Sequence, residues 1–142
     1  MAQIVSMDGT AMSALCFGCM QFGGSADEAA SRAMFAASRA AGITAFDTAH
    51  GYHGGQSERL LGQFAAVERE ALIIASKAGY TGGSGREMIL GQVEDSRQRL
   101  NMDVIDILYL HRWDPNTPLE ETFGALAAQQ QAGRIRNNGV SN

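Results

Sequence analysis

The chain has 142 residues, of which 45% are hydrophobic and 18% are charged, and it contains 17 glycines. This length and composition are typical of one globular domain and exclude a disordered chain. The formal net charge of −4 argues against nucleic-acid binding, because contacts to a phosphate backbone require a basic face.

The N-terminal segment IVSMDGTAMS is predicted to form a small β-hairpin, because Asp8-Gly9 is a hairpin turn signal. The N-terminus has no Lys or Arg and no long apolar core, so it does not match a signal peptide. No apolar run in the chain approaches the roughly 18 residues of a membrane span. We therefore expect a cytoplasmic protein with no membrane partner.

Five short apolar segments follow, and each is typical of a parallel strand that is covered on both faces. They are SALCFG (13–18), ITAFDTA (43–49), ALIIASKAG (71–79), IDILYLH (105–111) and IRNNGVSN (135–142). Asn138 is unexpected in the last of them, because an unpaired amide in a buried strand would cost about 1–3 kcal/mol.

Four helices are predicted between these strands, each starting at a Ser or Thr N-cap that an acidic residue follows. The predicted caps are Ser25, Ser57, Ser84 and Thr117, with Pro118 at the first helical position of the last helix. Gly42 and Gly133 are predicted just past two helix ends. Three helices carry apolar stripes at helical spacing. These are Ala30, Ala33, Met34, Ala37 and Ala41; Ile89, Val93 and Leu100; and Leu119, Phe123, Leu126 and Ala127.

The helix starts recur about every 30 residues, as expected for a repeating strand–helix unit. Two architectures accept this order: an open doubly wound sheet and a closed (β/α) barrel. An open sheet would normally show a Gly-rich nucleotide turn after its first strand, but the chain has no G-x-G-x-x-G or Walker sequence. We interpret the glycines of GGSG (82–85) as a loop before a helix.

The cysteines in CFGC, Cys16 and Cys19, raise the alternatives of a redox pair or, with His50 and His53, a zinc site. A thioredoxin-type pair opens a helix, whereas these cysteines lie at a strand end, where a spacing of three directs them to opposite faces. The histidine spacing is also one residue short of the zinc-finger range. We therefore expect neither a metal nor dithiol chemistry.

Four polar side chains are predicted near the carboxyl ends of successive strands. Asp47 ends the second strand, Tyr52 lies five residues later, Lys77 ends the third strand and His111 ends the fourth. In a barrel these strand ends face one pocket. Taken singly, each residue has an ordinary structural role, such as a cap or a solvated charge. Their joint placement favours a site, because Lys77 at an apolar strand end needs a carboxylate partner and Asp47 can be that partner.

Together these groups are suited to donate a proton to a carbonyl oxygen. An ammonium beside Tyr52 would favour the phenolate and ease proton release, while Asp47 would keep Lys77 charged and oriented. His111 can hydrogen-bond a substrate oxygen. The four residues do not identify the group that attacks the carbonyl carbon.

These motifs resemble those of the aldo-keto reductase superfamily. GITAFDTAHGYHGGQSERLLG is similar to the family's G-x-x-x-x-D-T-A-x-x-Y…S-E-x-x-L-G signature, and IIASK to its lysine strand. DVIDILYLHRWDP resembles its histidine strand, and GRIRNNGVSN its G-[KR]-[IV]-R-x-x-G-V-S-N segment. LHRWDPNTPLEETFGAL is most similar to the bacterial branch that also includes proteins like the potassium-channel β-subunit and the aflatoxin-aldehyde reductases.

The resemblance implies a (β/α)8 TIM-type barrel that reduces a small carbonyl substrate, with NADPH, or alternatively NADH, as hydride donor. The implied catalytic residues, with Tyr52 as general acid, are Asp47, Tyr52, Lys77 and His111. The implied cofactor-binding residues are Gly18, Cys19, Met20, Asp47, Ser141 and Asn142. Trp113 would line the substrate pocket with Tyr52 and His111; its alternative is a surface-capping aromatic.

A full barrel of this class needs about 250 residues, so residues 1–142 are expected to form its N-terminal part, with about five strands and four helices. Two open sheet edges would then favour self-association. On this basis we expect the 142-residue chain to reduce aldehydes slowly or not at all. The alternatives are a non-catalytic, nicotinamide-sensing regulatory subunit, resembling a channel β-subunit, and a remnant that does not fold alone.

Overall fold

A computed structural model describes residues 3–141 of the chain. Five strands form one parallel sheet in sequence order, and each predicted apolar segment contains one of them. The strands are β1 (Cys16–Gly18), β2 (Ala45–Asp47), β3 (Ile73–Ala78), β4 (Ile105–Leu110) and β5 (Ile135–Val140). The helices between them are α1 (Glu28–Ala40), α2 (Gln56–Ala65), α3 (Arg86–Leu100) and α4 (Leu119–Gln131). The predicted strand–helix order is therefore confirmed.

The main core lies between the sheet and the helices. All six residues of β3 are buried, as expected for a parallel strand covered on both faces. Ile74 and Leu108 belong to the main cluster on the helix side, whereas Ile73 and Ile107 belong to a smaller cluster on the opposite, concave face. None of the helices within residues 3–141 is long and apolar enough to cross a membrane.

The N-terminal segment makes the predicted turn at Asp8-Gly9. Ser6 N–H donates to the Thr10 carbonyl at 2.9 Å, and Gly9 adopts a φ of +91°. Its arms pair through an isolated antiparallel bridge between Val5 and Ala11, so the segment is shorter than a regular hairpin. It packs instead on the small cluster of the concave face.

The predicted Ser and Thr caps are wrong, because the hydroxyls bond elsewhere. The N-cap positions are Asp27, Gly55, Gly85 and Pro118, and Pro118 is therefore outside the helix rather than its first residue. Ser25 donates to Gln21, Ser57 to the Cys19 carbonyl and Thr117 to Asp114, while Ser84 and Thr122 pair with each other. Gly42 and Gly133 do follow the C-caps of α1 and α4 with positive φ, as predicted.

The predicted stripe of α1 is also wrong. Ala30, Ala33, Ala37 and Ala41 are exposed and Met34 is partly buried, whereas the buried face consists of Ser31, Phe35 and Ser38. Phe35 determines this face, because its ring packs against Phe46 of β2 at 4.7 Å and buries far more apolar surface than an alanine does.

The other two stripes differ in outcome. Ile89, Val93 and Leu100 of α3 are fully buried, which confirms that stripe. In α4, Leu126 is buried and Phe123 partly buried, but Leu119 and Ala127 are exposed.

Asn138 was expected in a buried strand, and this expectation is wrong. β5 is an edge of the described sheet, and Asn138 is exposed. Its amide donates to Gln130 Oε1 of α4 at 3.0 Å, so the cost of an unpaired buried amide does not arise.

Gly62 allows α2 to approach α3 closely. A Cβ at Gly62 would lie 2.2 Å from the Leu100 carbonyl oxygen, which is backbone and cannot rotate away. We expect Gly62→Ala to lower the free energy of unfolding by about 1–3 kcal/mol, measured by urea denaturation. Gly91→Ala in α3 is the control: a Cβ there meets no atom within 4 Å, so the higher helix propensity of alanine should stabilise the protein by up to about 1 kcal/mol. Equal effects of the two substitutions would contradict the close contact.

Candidate active site

The ammonium of Lys77 lies at the centre of a polar cluster at the carboxyl ends of β2 and β3. Asp47 pairs with Ala75 across the sheet, so Lys77, two residues further along β3, points to the same face as Asp47. Lys77 Nζ donates to the Asp47 carboxylate and to the Thr48 carbonyl, the latter at 2.9 Å, and lies 3.3 Å from the Tyr52 hydroxyl. Lys77 is only 8% exposed, so the carboxylate compensates a charge that burial would otherwise penalise.

Tyr52 and His111 complete the cluster. Tyr52 begins a 3₁₀ segment, Tyr52–Gly55, that leads into α2. Its ring meets the His111 ring edge-on, with centroids 5.8 Å apart, and Lys77 Nζ lies 5.0 Å from the centre of the Tyr52 ring. The structure therefore brings together all four side chains that were predicted to converge.

The surroundings of His111 favour the neutral form of its imidazole. Burial lowers the pKa of its imidazole, and the positive charge of Lys77 lowers this pKa further, against a smaller opposing effect of Asp47. Nδ1 of His111 is buried and has no hydrogen-bond partner within residues 3–141. A neutral imidazole has one N–H donor and one acceptor nitrogen, so it can bond a carbonyl oxygen without carrying charge.

This lowered pKa predicts a pH-dependent stability. Below the ordinary histidine value of 6.5 the unfolded chain binds a proton at residue 111 more readily than the folded chain does. The free energy of unfolding should therefore fall as the pH decreases through 6.5, until the pH passes below the folded-state pKa. Urea denaturation from about pH 7.5 to about pH 5 measures the free energy of unfolding of the unaltered chain and of His111→Gln. The contributions of other titrating groups cancel in the difference between the two free energies. A difference independent of pH would contradict the lowered pKa.

A cavity of about 330 Å³ opens on the concave face beside Asp47 and Lys77. Gly18 and Ser141, two predicted cofactor-binding residues, line it, together with Cys16 and Tyr109. Its volume is at the lower end of the range for small-molecule sites, and it combines charged groups with an apolar wall. These residues fit the nicotinamide end of a dinucleotide.

The other predicted cofactor-binding residues lie differently. Cys19 is fully buried in the main core cluster and does not line the cavity, and burial raises the pKa of its thiol. Its N–H donates to the Asp47 carbonyl at 2.7 Å. Met20 is half-exposed and does not line the cavity. Asn142 lies outside the described residues.

The residues considered for a redox pair or a zinc site, Cys16, Cys19, His50 and His53, have other structural settings. Cys16 and Cys19 are both free thiols; desolvation raises the pKa of Cys16 to about 11, with the Asp47 charge as a second cause. Nε2 of His50 lies 3.1 Å from Asp95 Oδ2, and His53 packs against Gly24. Within residues 3–141, no three His, Cys, Asp or Glu side chains lie together as metal ligands would.

Trp113 does not line the cavity beside Asp47 and Lys77. It is 65% exposed and lines a recess of about 270 Å³ with Tyr80 and Arg112. Sequence reasoning missed Tyr80, whose ring packs against the His111 ring at a tilt of 46°, with centroids 4.9 Å apart. Tyr80 follows Lys77 by three residues, and this closeness to the end of β3 could have indicated that it lies near the site.

A buried polar layer behind the site was also missed. Glu58 of α2 is fully buried and accepts a hydrogen bond from Ser76 of β3 at 2.6 Å. Ser57 donates to the Cys19 carbonyl at 2.7 Å and lies equally close to Thr48, so it joins the loops after β1 and β2. Ser57 and Glu58 are the Ser and Glu of the S-E-x-x-L-G part of the signature, which was the available signal.

Comparison with known proteins identifies the family. The aldo/keto reductase family model matches residues 14–142. L-glyceraldehyde 3-phosphate reductase of Escherichia coli K12 is 40% identical over 113 residues, covering 70% of this chain and 33% of that protein. A probable voltage-gated potassium channel subunit beta of Oryza sativa is 33% identical over 128 residues, covering 83% and 39%.

A solved structure is similar over the whole described fold. Aldo-keto reductase AKR11C1 from Bacillus halodurans, in its holo form, superposes with a TM-score of 0.85 at 32% identity. The match covers 99% of this chain and 49% of that one, so the five strands and four helices correspond to about half of a TIM barrel. The chain likewise spans about a third to two fifths of these curated relatives. The chain belongs to the aldo/keto reductase family.

Proposed function

We propose that this chain carries the proton-donating site of an NAD(P)H-dependent reductase that converts aldehydes or ketones to alcohols. The observation that carries the proposal is the position of Lys77 Nζ, which contacts the Asp47 carboxylate and lies 3.3 Å from the Tyr52 hydroxyl. Membership of the aldo/keto reductase family supports the oxidoreductase class.

Each residue has a distinct role in this proposal. Tyr52 donates its hydroxyl proton to the carbonyl oxygen, and the Lys77 ammonium stabilises the phenolate that remains. Asp47 and the Thr48 carbonyl hold the ammonium in place. Neutral His111 orients the carbonyl oxygen near Tyr52. When bound, the reduced nicotinamide supplies the hydride that the carbonyl carbon accepts.

The cofactor would be held at the cavity on the concave face. Asp47, Gly18 and Ser141 line this cavity and would contact the nicotinamide end. Cys19 would contribute through its backbone, and Met20 and Asn142 would extend the site. The family resemblance favours NADPH, with NADH as the alternative.

The substrate would enter at the recess beside His111. Trp113 and Tyr80, both more than half exposed, present aromatic surface there, and Arg112 adds a positive charge. The Escherichia coli relative is named for a phosphorylated aldehyde. A small carbonyl compound bearing an anionic group would suit the charge of Arg112.

A second candidate function is a regulatory subunit that binds the nicotinamide without turning over a substrate. The similarity to a probable potassium channel subunit beta favours it. The same cavity would serve both functions, so the two differ in turnover and not in cofactor binding.

Two measurements on the purified chain separate these functions. NADPH binding is followed by quenching of Trp113, which is the single tryptophan of the sequence. Turnover is followed by the loss of NADPH absorbance with 4-nitrobenzaldehyde. We expect binding together with slow, aldehyde-dependent oxidation. Binding without oxidation would favour the regulatory subunit, and the absence of both would contradict the proposal.

A further inference from the structure

We propose that Arg99 of α3 is a positioning residue for Tyr52, acting through the loop that carries this tyrosine. The inference rests on the proposed function to the extent that Tyr52 is the proton donor. Arg99 does not contact the four clustered side chains themselves. Its guanidinium instead binds the backbone two residues before Tyr52.

The first evidence is a pair of contacts from one helix to His50. Arg99 Nη1 donates to the His50 carbonyl at 2.9 Å. Asp95, one turn earlier on α3, lies 3.1 Å from His50 Nε2. Residues four apart lie on the same helix face, so α3 holds both the backbone and the side chain of His50.

The second evidence is the way in which Arg99 is itself held. Its Nη1 lies 3.5 Å from Glu58 Oε2, and Glu58 is fully buried. The other carboxylate oxygen of Glu58 accepts a hydrogen bond from Ser76, the residue next to Lys77 in β3. A buried carboxylate requires a partner, so Arg99 cannot leave this position without a large cost. The position of the His50 carbonyl is thereby tied to the strand that carries Lys77.

The third evidence is the backbone on the far side of Tyr52. His53, Gly54 and Gly55 have positive φ angles of 50°, 62° and 87°. Such conformations persist when surrounding contacts hold them. Arg99 lies against Gly55, where an added Cβ would be 2.6 Å from the arginine Cδ and Nε. Arg99 therefore contacts the Tyr52 loop on both sides of the tyrosine, at His50 and at Gly55.

Hydrogen–deuterium exchange on the full chain tests this role directly. In Arg99→Met, the His50 and Tyr52 amides should exchange about tenfold faster or more, because a charged hydrogen bond to the loop is lost. The amides of β4 should keep their exchange rates. Arg97→Met is the matched control: Arg97 lies on the same helix but bonds Glu94 and the Asp103 carbonyl, away from the loop. Unchanged loop exchange in Arg99→Met, or an equal rise in Arg97→Met, would contradict the proposal.

A double variant distinguishes positioning from simple charge compensation. If Arg99 served only to neutralise Glu58, Arg99→Met combined with Glu58→Gln would restore slow exchange of the loop. We expect the loop to remain fast, because the donor to the His50 carbonyl is still missing. Arg99→Lys keeps the positive charge and serves as the test variant if Arg99→Met does not fold. The exchange rate of its loop amides should lie between the rates of the unaltered chain and of Arg99→Met. If the loop amides of the double variant, or those of Arg99→Lys, exchanged as slowly as in the unaltered chain, the proposal would be contradicted.

Turnover tests the role of Arg99 independently of hydrogen exchange. Where the unaltered chain oxidises NADPH, Arg99→Lys should lower kcat by more than it changes the Kd for NADPH, because the tyrosine and not the cavity is displaced. A change confined to the Kd would contradict positioning of Tyr52. Absence of turnover in the unaltered chain would count against the reductase and favour the regulatory subunit, and the exchange result would still decide the role of Arg99.

Discussion

Tyr52→Phe should lower the rate of aldehyde-dependent NADPH oxidation by about 100-fold or more, because it removes the hydroxyl that we propose as the proton donor to the carbonyl oxygen. Phenylalanine retains the ring that meets His111 edge-on and faces Lys77, so the fold and the cavity should persist. NADPH binding should therefore stay within a few-fold of the unaltered chain. Initial rates with 4-nitrobenzaldehyde and the quenching of Trp113 measure the two effects separately.

Tyr80→Phe provides the comparison for this experiment. Tyr80 also contacts His111, but through its ring and not through its hydroxyl. Its hydroxyl therefore has no role in proton donation, and Tyr80→Phe should lose far less activity than Tyr52→Phe. Equal rates in Tyr52→Phe and the unaltered chain would contradict Tyr52 as the proton donor.

Asp106→Ala should lower the free energy of unfolding by about 3–5 kcal/mol, since it leaves buried positive charge without its partner. Asp106 of β4 is fully buried and binds Arg69 at 2.7 Å and Arg136 at 2.9 Å. It also accepts the Ile74 N–H of β3 at 2.9 Å, so its loss leaves a backbone donor unpaired. This is a large fraction of the roughly 5–15 kcal/mol that stabilises a typical domain.

Urea denaturation checks this effect against two related variants. Asp103→Ala removes an exposed carboxylate three residues earlier and should change the free energy of unfolding by no more than about 0.5 kcal/mol. Asp106→Asn keeps an acceptor for the Ile74 N–H and should lose less stability than Asp106→Ala. A loss in Asp106→Ala as small as that in Asp103→Ala would show that the two arginines find other partners.

The strand order and the convergence of Asp47, Tyr52, Lys77 and His111 could be predicted because both follow from local patterns. Apolar runs identify buried strands, and the carboxyl ends of parallel strands lie at one edge of the sheet whatever the intervening helices do. The side-chain period of two then places Asp47 and Lys77 on the same face.

The faces and starts of the helices were harder to predict because competing partners decide them. A Ser before a helix can cap it or bond to a distant carbonyl, and Ser57 does the latter with Cys19, 38 residues away. An alanine row in α1 matched the helical period, but the single large ring of Phe35 determined which face is buried. Period alone does not measure how much apolar surface each side chain can bury.

From the residues alone, the chain could be assigned its strands, its four clustered side chains and its family resemblance. The polar layer behind the site emerged from the folded structure. Arg99 is 49 residues from His50 and 41 from Glu58 along the chain, and Arg136 is 30 from Asp106. Such pairs follow no local period, since each depends on how two elements pack after the chain has folded. Their carboxylates can be buried because packing brings a guanidinium to each of them.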